Sequence, residues 1–124
     1  MSDIETVRLP AGRVEPGETF PAAARRETLE EAGLPIKLEG ILRVEHSPHP
    51  EMTRMRVVYL ARPVDDTPPK SLPDQETLGA KWCTLKEVRE LSLRGPEVVD
   101  ILSAVERGVP IYPLSLIQFE GAPL

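Results

Sequence analysis

Cysteine occurs once, at Cys83. That excludes an internal disulfide and suits a reducing compartment such as the cytoplasm. Aromatic residues are scarce: Phe20, Tyr59, Trp82, Tyr112 and Phe119 are the full set, so the core has to be aliphatic. No apolar run reaches the length of a membrane span and no segment reads as a signal peptide, so no membrane partner is expected. Positive charge is in deficit, with 15 Lys and Arg against 20 Asp and Glu and a net charge of −5. A protein that tracks the phosphates of nucleic acid carries the opposite balance, so no nucleic-acid partner is expected. No internal repeat is present.

What is present fits one domain. The chain has 124 residues, 40% hydrophobic and 28% charged, as in an ordinary globular protein. Its most informative stretch is GRVEPGETFPAAARRETLEEAGL, Gly12 to Leu34, where five acidic residues and a glycine-rich loop precede one helix. Thr19 is placed to cap that helix and Pro21 sits in its first turn, where a missing N–H costs little. The interior is mostly strong helix formers. Gly33 stands where a C-terminal cap belongs, and Pro35 stops the helix. Glu27, Glu30 and Glu31 are then spaced i, i+3, i+4 and share a face. Three carboxylates on one face repel unless a positive group sits among them. A hard divalent cation such as Mg²⁺ is one answer. A solvated face with an Arg26–Glu30 pair, worth about 0.2–0.5 kcal/mol, is the other.

Gly12, five residues, Glu18, seven residues, Arg26-Glu27, then Glu30-Glu31, Gly33 and Leu34 resembles the Nudix box of the Nudix hydrolases, G-x5-E-x7-R-E-U-x-E-E-x-G-U with U a bulky aliphatic. Eight of its nine fixed positions match. Thr28 is the departure, a β-branched residue nearly isosteric with valine, and reads as a mild change in packing. The flanking LPAGR and EPGET are similar to the family as well.

Ile4 to Leu9 alternates as a short strand does. Only eleven residues precede Gly12, whereas the resemblance implies a longer segment there, supplying a central strand and its hairpin partner. The expectation is one Nudix domain over 1–124, short at the N-terminus, with a homodimer filling the gap or with activity compromised. After the helix, Ile36 to Glu45 reads as a strand interrupted near Gly40. His46 to Pro50 is a loop. Its two histidines lack a cysteine or third histidine nearby and read as surface near the mouth of the site. Arg54 to Arg62 is a second strand, apolar on both faces and so expected to be central, with helices on each side. Arg54 or Arg56 is positioned to meet a phosphate, or simply ends a strand in solvent. Residues 63–77 form a loop. Gly79 to Cys83 reads as a strand, with Trp82 in the core. Thr84 and Glu87 make a capping box for a short helix to about Leu91. A further helix opens at Gly95-Pro96-Glu97 and ends at Gly108. The tail, Val109 to Leu124, is too apolar to trail in water, and is expected to pack on its own body or across a dimer.

The resemblance implies an α+β fold, a Nudix-like α/β/α sandwich with a mixed β-sheet. It implies hydrolysis of a pyrophosphate bond in a nucleoside diphosphate linked to a group X, in a small-molecule nucleotide. Mg²⁺, with Mn²⁺ as an alternative, is the implied cofactor. Metal ligands carried over by position are Glu27, Glu30 and Glu31, with the Ala11 carbonyl and Glu18 as further candidates. Glu27 and Glu30 are the candidate catalytic carboxylates, and Arg26 orients Glu27. Glu76, with Asp74 second, is the acidic loop residue that would complete the metal shell, act as base or contact substrate. The competing reading is a catalytically silent Nudix-fold module that binds nucleotide or protein. The resemblance leaves the substrate open among nucleotides that share the pyrophosphate; the wording of the box and of RVVYLARP is similar to members that act on oxidised guanine nucleotides.

Overall fold

The computed structural model describes residues 13–71, 82–90 and 97–124. The expected strand over residues 4–9, the Ala11 carbonyl, Asp74 and Glu76 lie outside them. Helix α1 spans Phe20–Ala32. Its start is set by Thr19, whose backbone is extended and whose Oγ1 accepts from the Ala22 N–H at 3.2 Å. Its end is set by Gly33 in the left-handed conformation (φ 71°), with its N–H donating to the Leu29 carbonyl at 2.9 Å. This is the cap geometry in which glycine has no Cβ penalty. The residues that α1 buries are Ala23 and Ala32, so the helix can approach the sheet closely while its charged face stays accessible.

Strands β1 (Ile36–Ser47) and β2 (Arg54–Pro63) form an antiparallel hairpin. The pairing slips between Leu38 and Gly40 and again between Ile41 and Arg43, so the expected interruption at Gly40 is a bulge. The second edge of β1 is taken by the tail. Ile41 and Tyr112 exchange two backbone hydrogen bonds, each 2.8 Å. A Cβ at Gly40 would collide with Ile111 Cγ2 and lie 3.0 Å from the Tyr112 carbonyl. Glycine at position 40 therefore lets the tail reach the strand.

Helix α2 (Leu85–Glu90) opens with the reciprocal capping box: the Glu87 N–H donates to Thr84 Oγ1 and the Thr84 N–H donates to the Glu87 carboxylate, both at 3.1 Å. Helix α3 (Glu97–Glu106) follows, with Gly108 beyond it in the left-handed conformation. Ile101 and Ala104 of α3 line a cavity of about 250 Å³ together with Leu42 of β1 and Tyr112 of the tail. The core is aliphatic: Leu34, Leu38, Ile41, Val88 and Ile101 are buried, with Ile41 fully enclosed.

Three expectations need correction. Among the described residues β2 pairs only with β1, and Val57 to Leu60 are half-buried, short of the central, doubly covered strand expected. Trp82 is 61% exposed and stands outside any strand, two residues before the Thr84 cap. The rest of the expected strand, residues 79–81, lies outside the described residues. The tail does dock on its own body, but through backbone pairing at Tyr112; Leu116 and Phe119 stay exposed.

Candidate active site

The loop before α1 turns sharply. Gly17 has φ 80° and the Glu18 N–H donates to the Glu15 carbonyl at 2.9 Å. This turn brings Glu18 back over the first turns of the helix, where Arg26 rises to meet it. Arg26 Nε donates to Glu18 Oε2 at 2.8 Å and Nη2 to Glu18 Oε1 at 3.1 Å. The same Nη2 donates to the Arg13 carbonyl at 2.9 Å. Nη1 donates to Glu27 Oε1 at 2.6 Å and to Glu30 Oε2 at 3.2 Å, with Glu15 Oε1 at 3.9 Å. One guanidinium thus gathers four carboxylates and a loop carbonyl. An arginine can do this because its donors form a rigid planar fork.

The electrostatics follow. The Arg26 hydrogen bond, helped by the Glu15 N–H, holds the Glu18 carboxyl down at about 2. Glu18 in turn keeps Arg26 protonated well above its ordinary range. Thr28, the one departure from the box pattern, donates its hydroxyl to the Ala24 carbonyl at 2.8 Å. Its polarity is satisfied inside the helix.

Among the described residues no three acidic, histidine or cysteine side chains converge closely enough to enclose an ion by themselves. The carboxylates close around the guanidinium instead. Their chemistry still fits a hard divalent cation. All the donors are oxygens, and Arg26 engages one oxygen each of Glu27 and Glu30. The histidine pair makes no metal cluster, and His49 Nδ1 accepts from the Glu51 N–H at 3.3 Å.

Of the two candidate substrate arginines, the structure brings one towards the box. Arg54 lines an open cleft of about 460 Å³ with Arg13, Ser47, Pro48, His49 and Met52. Arg13 joins this cleft to the carboxylate ring through its carbonyl. Arg56 lies across from Glu45 in the hairpin and is bonded to it at 2.6 Å. Burial pushes the Glu45 carboxyl up, but Arg56 and Arg43 outweigh it and hold it below its ordinary value. Sequence reasoning missed Arg13, Glu15 and Lys70. The first two lie in the unspecified positions of the box. Lys70 is far along the chain, and nothing in the local pattern marks it.

A NUDIX domain model matches residues 3–102 of the chain. This protein belongs to the Nudix hydrolase family. The chain is 45% identical over 113 residues to the 8-oxo-dGDP phosphatase NUDT18 of Homo sapiens, covering 89% of this chain and 34% of that protein. It is 28% identical over 109 residues to phosphatase NudJ of Escherichia coli strain K12, covering 87% of this chain and 71% of that one. The chain thus spans about a third of the length of the NUDT18 relative. In three dimensions it is similar to a NUDIX hydrolase from Nitrosomonas europaea, with a TM-score of 0.72 at 25% identity, covering 98% of this chain and 84% of the other. The α+β fold is that of the Nudix family, and the carboxylate ring lies on the Nudix box. No helix among the described residues is long and apolar enough to cross a membrane.

Proposed function

We propose that this protein hydrolyses a pyrophosphate bond in a nucleoside diphosphate linked to a further group, with oxidised guanine nucleotides as the first substrate class to test. The observation that carries this reading is the ring of Glu18, Glu27 and Glu30 around Arg26, set on the box helix. Glu27, Glu30 and Glu31 would hold Mg²⁺ or Mn²⁺, with Glu18 and the Ala11 carbonyl as further oxygen donors. A divalent ion there would polarise the phosphoryl oxygens and make the attacking water more acidic.

The chain's own residues would do the rest. Arg26 keeps Glu27 and Glu30 oriented. One of these two carboxylates takes the proton of the water as its oxygen bonds to phosphorus, and the bridging P–O bond breaks. Arg54 and Arg13 supply positive charge in the adjoining cleft, and Met52 and Pro48 supply apolar surface there. A phosphate-bearing nucleoside suits that combination. One named relative supports the substrate class, since the NUDT18 match is an 8-oxo-dGDP phosphatase. The single Cys83 suits a reducing compartment such as the cytoplasm. A homodimer is part of the reading, supported by apolar side chains left exposed on the hairpin and tail, including Met55 and Phe119.

The test is a turnover panel of nucleoside di- and triphosphates, 8-oxo-guanine nucleotides, ADP-ribose, NADH and dinucleoside polyphosphates, with the nucleotide products separated by ion-exchange chromatography. Turnover concentrated on the oxidised guanine nucleotides supports the substrate assignment. Turnover concentrated on another member replaces it. Binding without turnover of any member supports the silent-module reading instead.

A further inference from the structure

Helix α1 ends on an electrostatic conflict. The C-terminal end of a helix carries roughly half a negative charge, and the last turn of α1 adds Glu30 and Glu31 to it. That turn has no basic residue of its own. Arg26, one turn earlier, reaches the Glu30 carboxylate at 3.2 Å, and a second positive charge comes from a different part of the chain. Past β2, the segment from Val64 to Lys70 returns across the end of the helix. At one end the Val64 N–H donates to the Pro35 carbonyl at 3.1 Å. At the other, the Lys70 N–H donates to the Ala32 carbonyl at 2.7 Å, and the Lys70 ammonium donates to the Glu30 carbonyl. Two of the carbonyls that a helix end leaves without intrahelical partners are therefore closed by one residue. Gly33 makes room for it: a Cβ there would lie 3.1 Å from Lys70 Cβ and 3.2 Å from its backbone nitrogen.

We infer that Lys70 is a positioning residue for the Glu30–Glu31 turn, holding its backbone in place and offsetting its negative charge when no cation is bound. The backbone clamp is independent of the proposed function. The consequence for metal rests on that function, because it requires a divalent cation at the same carboxylates. There Lys70 and the ion draw on one pool of negative charge, so removing the lysine charge should tighten ion binding even as it loosens the helix end.

The experiment is a double-mutant cycle read by thermal melting in EDTA, so it needs neither metal nor substrate. Lys70→Met is made in the natural chain and in the Glu30→Gln/Glu31→Gln background, with Lys70→Arg as the charge-conserving control. The expected result is a melting temperature lowered by several degrees in the natural background and by less than half as much in the glutamine background. Lys70→Arg should recover most of the loss. An equal drop in both backgrounds would reduce Lys70 to a carbonyl clamp and overturn the charge role. No drop in either would overturn the positioning role altogether. A second reading follows the melting temperature of the natural chain and of Lys70→Met against Mn²⁺. A midpoint about fivefold lower in Lys70→Met supports the shared charge, the size expected of one partly screened unit charge. An unmoved or higher midpoint overturns it. If the natural chain shows no Mn²⁺ response, the metal reading fails, and the EDTA cycle still decides Lys70.

Discussion

Arg26 grips Glu18 with one edge of its guanidinium, Nε at 2.8 Å from Oε2 and Nη2 at 3.1 Å from Oε1, eight residues apart in the chain. The contact ties the loop before α1 to the middle of the helix. Its signature is in acid. The Glu18 carboxyl titrates at about 2 in the folded chain against an ordinary 4.5, chiefly through Arg26. A carboxyl whose pKa falls on folding stabilises the fold above its unfolded pKa and loses that contribution as pH drops through the folded value. Melting temperature should therefore fall between pH 4.5 and 2. Glu18→Gln should flatten that part of the profile and leave the slope above pH 5 unchanged.

Lysine should not replace arginine at position 26. An ammonium is a point charge and cannot reach Glu18, Glu27, Glu30 and the Arg13 carbonyl together. Arg26→Lys is expected to cost about 10–100-fold in metal affinity or turnover, the range for residues that orient metal ligands. Metal affinity and turnover at saturating metal both within twofold of the natural chain would count against the positioning role.

The two hairpin arginines should separate. Arg54→Ala removes a charge from the cleft beside the box and should raise KM for a nucleotide roughly tenfold, about the 1.4 kcal/mol expected of one phosphate contact. Arg56→Ala breaks a cross-strand pair with Glu45 and should leave KM alone. Its cost is in stability, about 0.2–1 kcal/mol, as for other exposed ion pairs. Steady-state kinetics on both variants decides the matter.

Gly40→Ala should be more damaging than a cap substitution. The added methyl meets Ile111 and the Tyr112 carbonyl where the tail pairs with β1. Overpacking of that kind costs about 1–3 kcal/mol. Thr19→Ala loses the helix cap and should cost about 1 kcal/mol. Denaturant unfolding ranks the two.

Much of this was legible beforehand because the signals were local. Thr19, Pro21 and Gly33 bound α1, Thr84 and Glu87 open α2, and Gly108 follows α3; each acts on backbone groups within a few residues. The box residues could be read for the same reason, since Glu27, Glu30 and Glu31 share one helix. What the sequence concealed were contacts between distant segments. That Glu45 rather than a ligand takes Arg56 depends on hairpin register. That Lys70 reaches Glu30, forty residues away, depends on the path of the chain after β2. Trp82 misled because a large apolar side chain predicts burial only on average.

The most direct test is hydrolysis of 8-oxo-dGDP, followed as released phosphate, with Mg²⁺ and with EDTA, for the natural chain and for Glu30→Gln. The account predicts turnover with Mg²⁺, its loss on chelation, and a fall of at least about 100-fold in the variant, the lower range for losing a catalytic carboxylate. Turnover that survives chelation, or persists undiminished in Glu30→Gln, would contradict the assignment of chemistry to the carboxylates around Arg26.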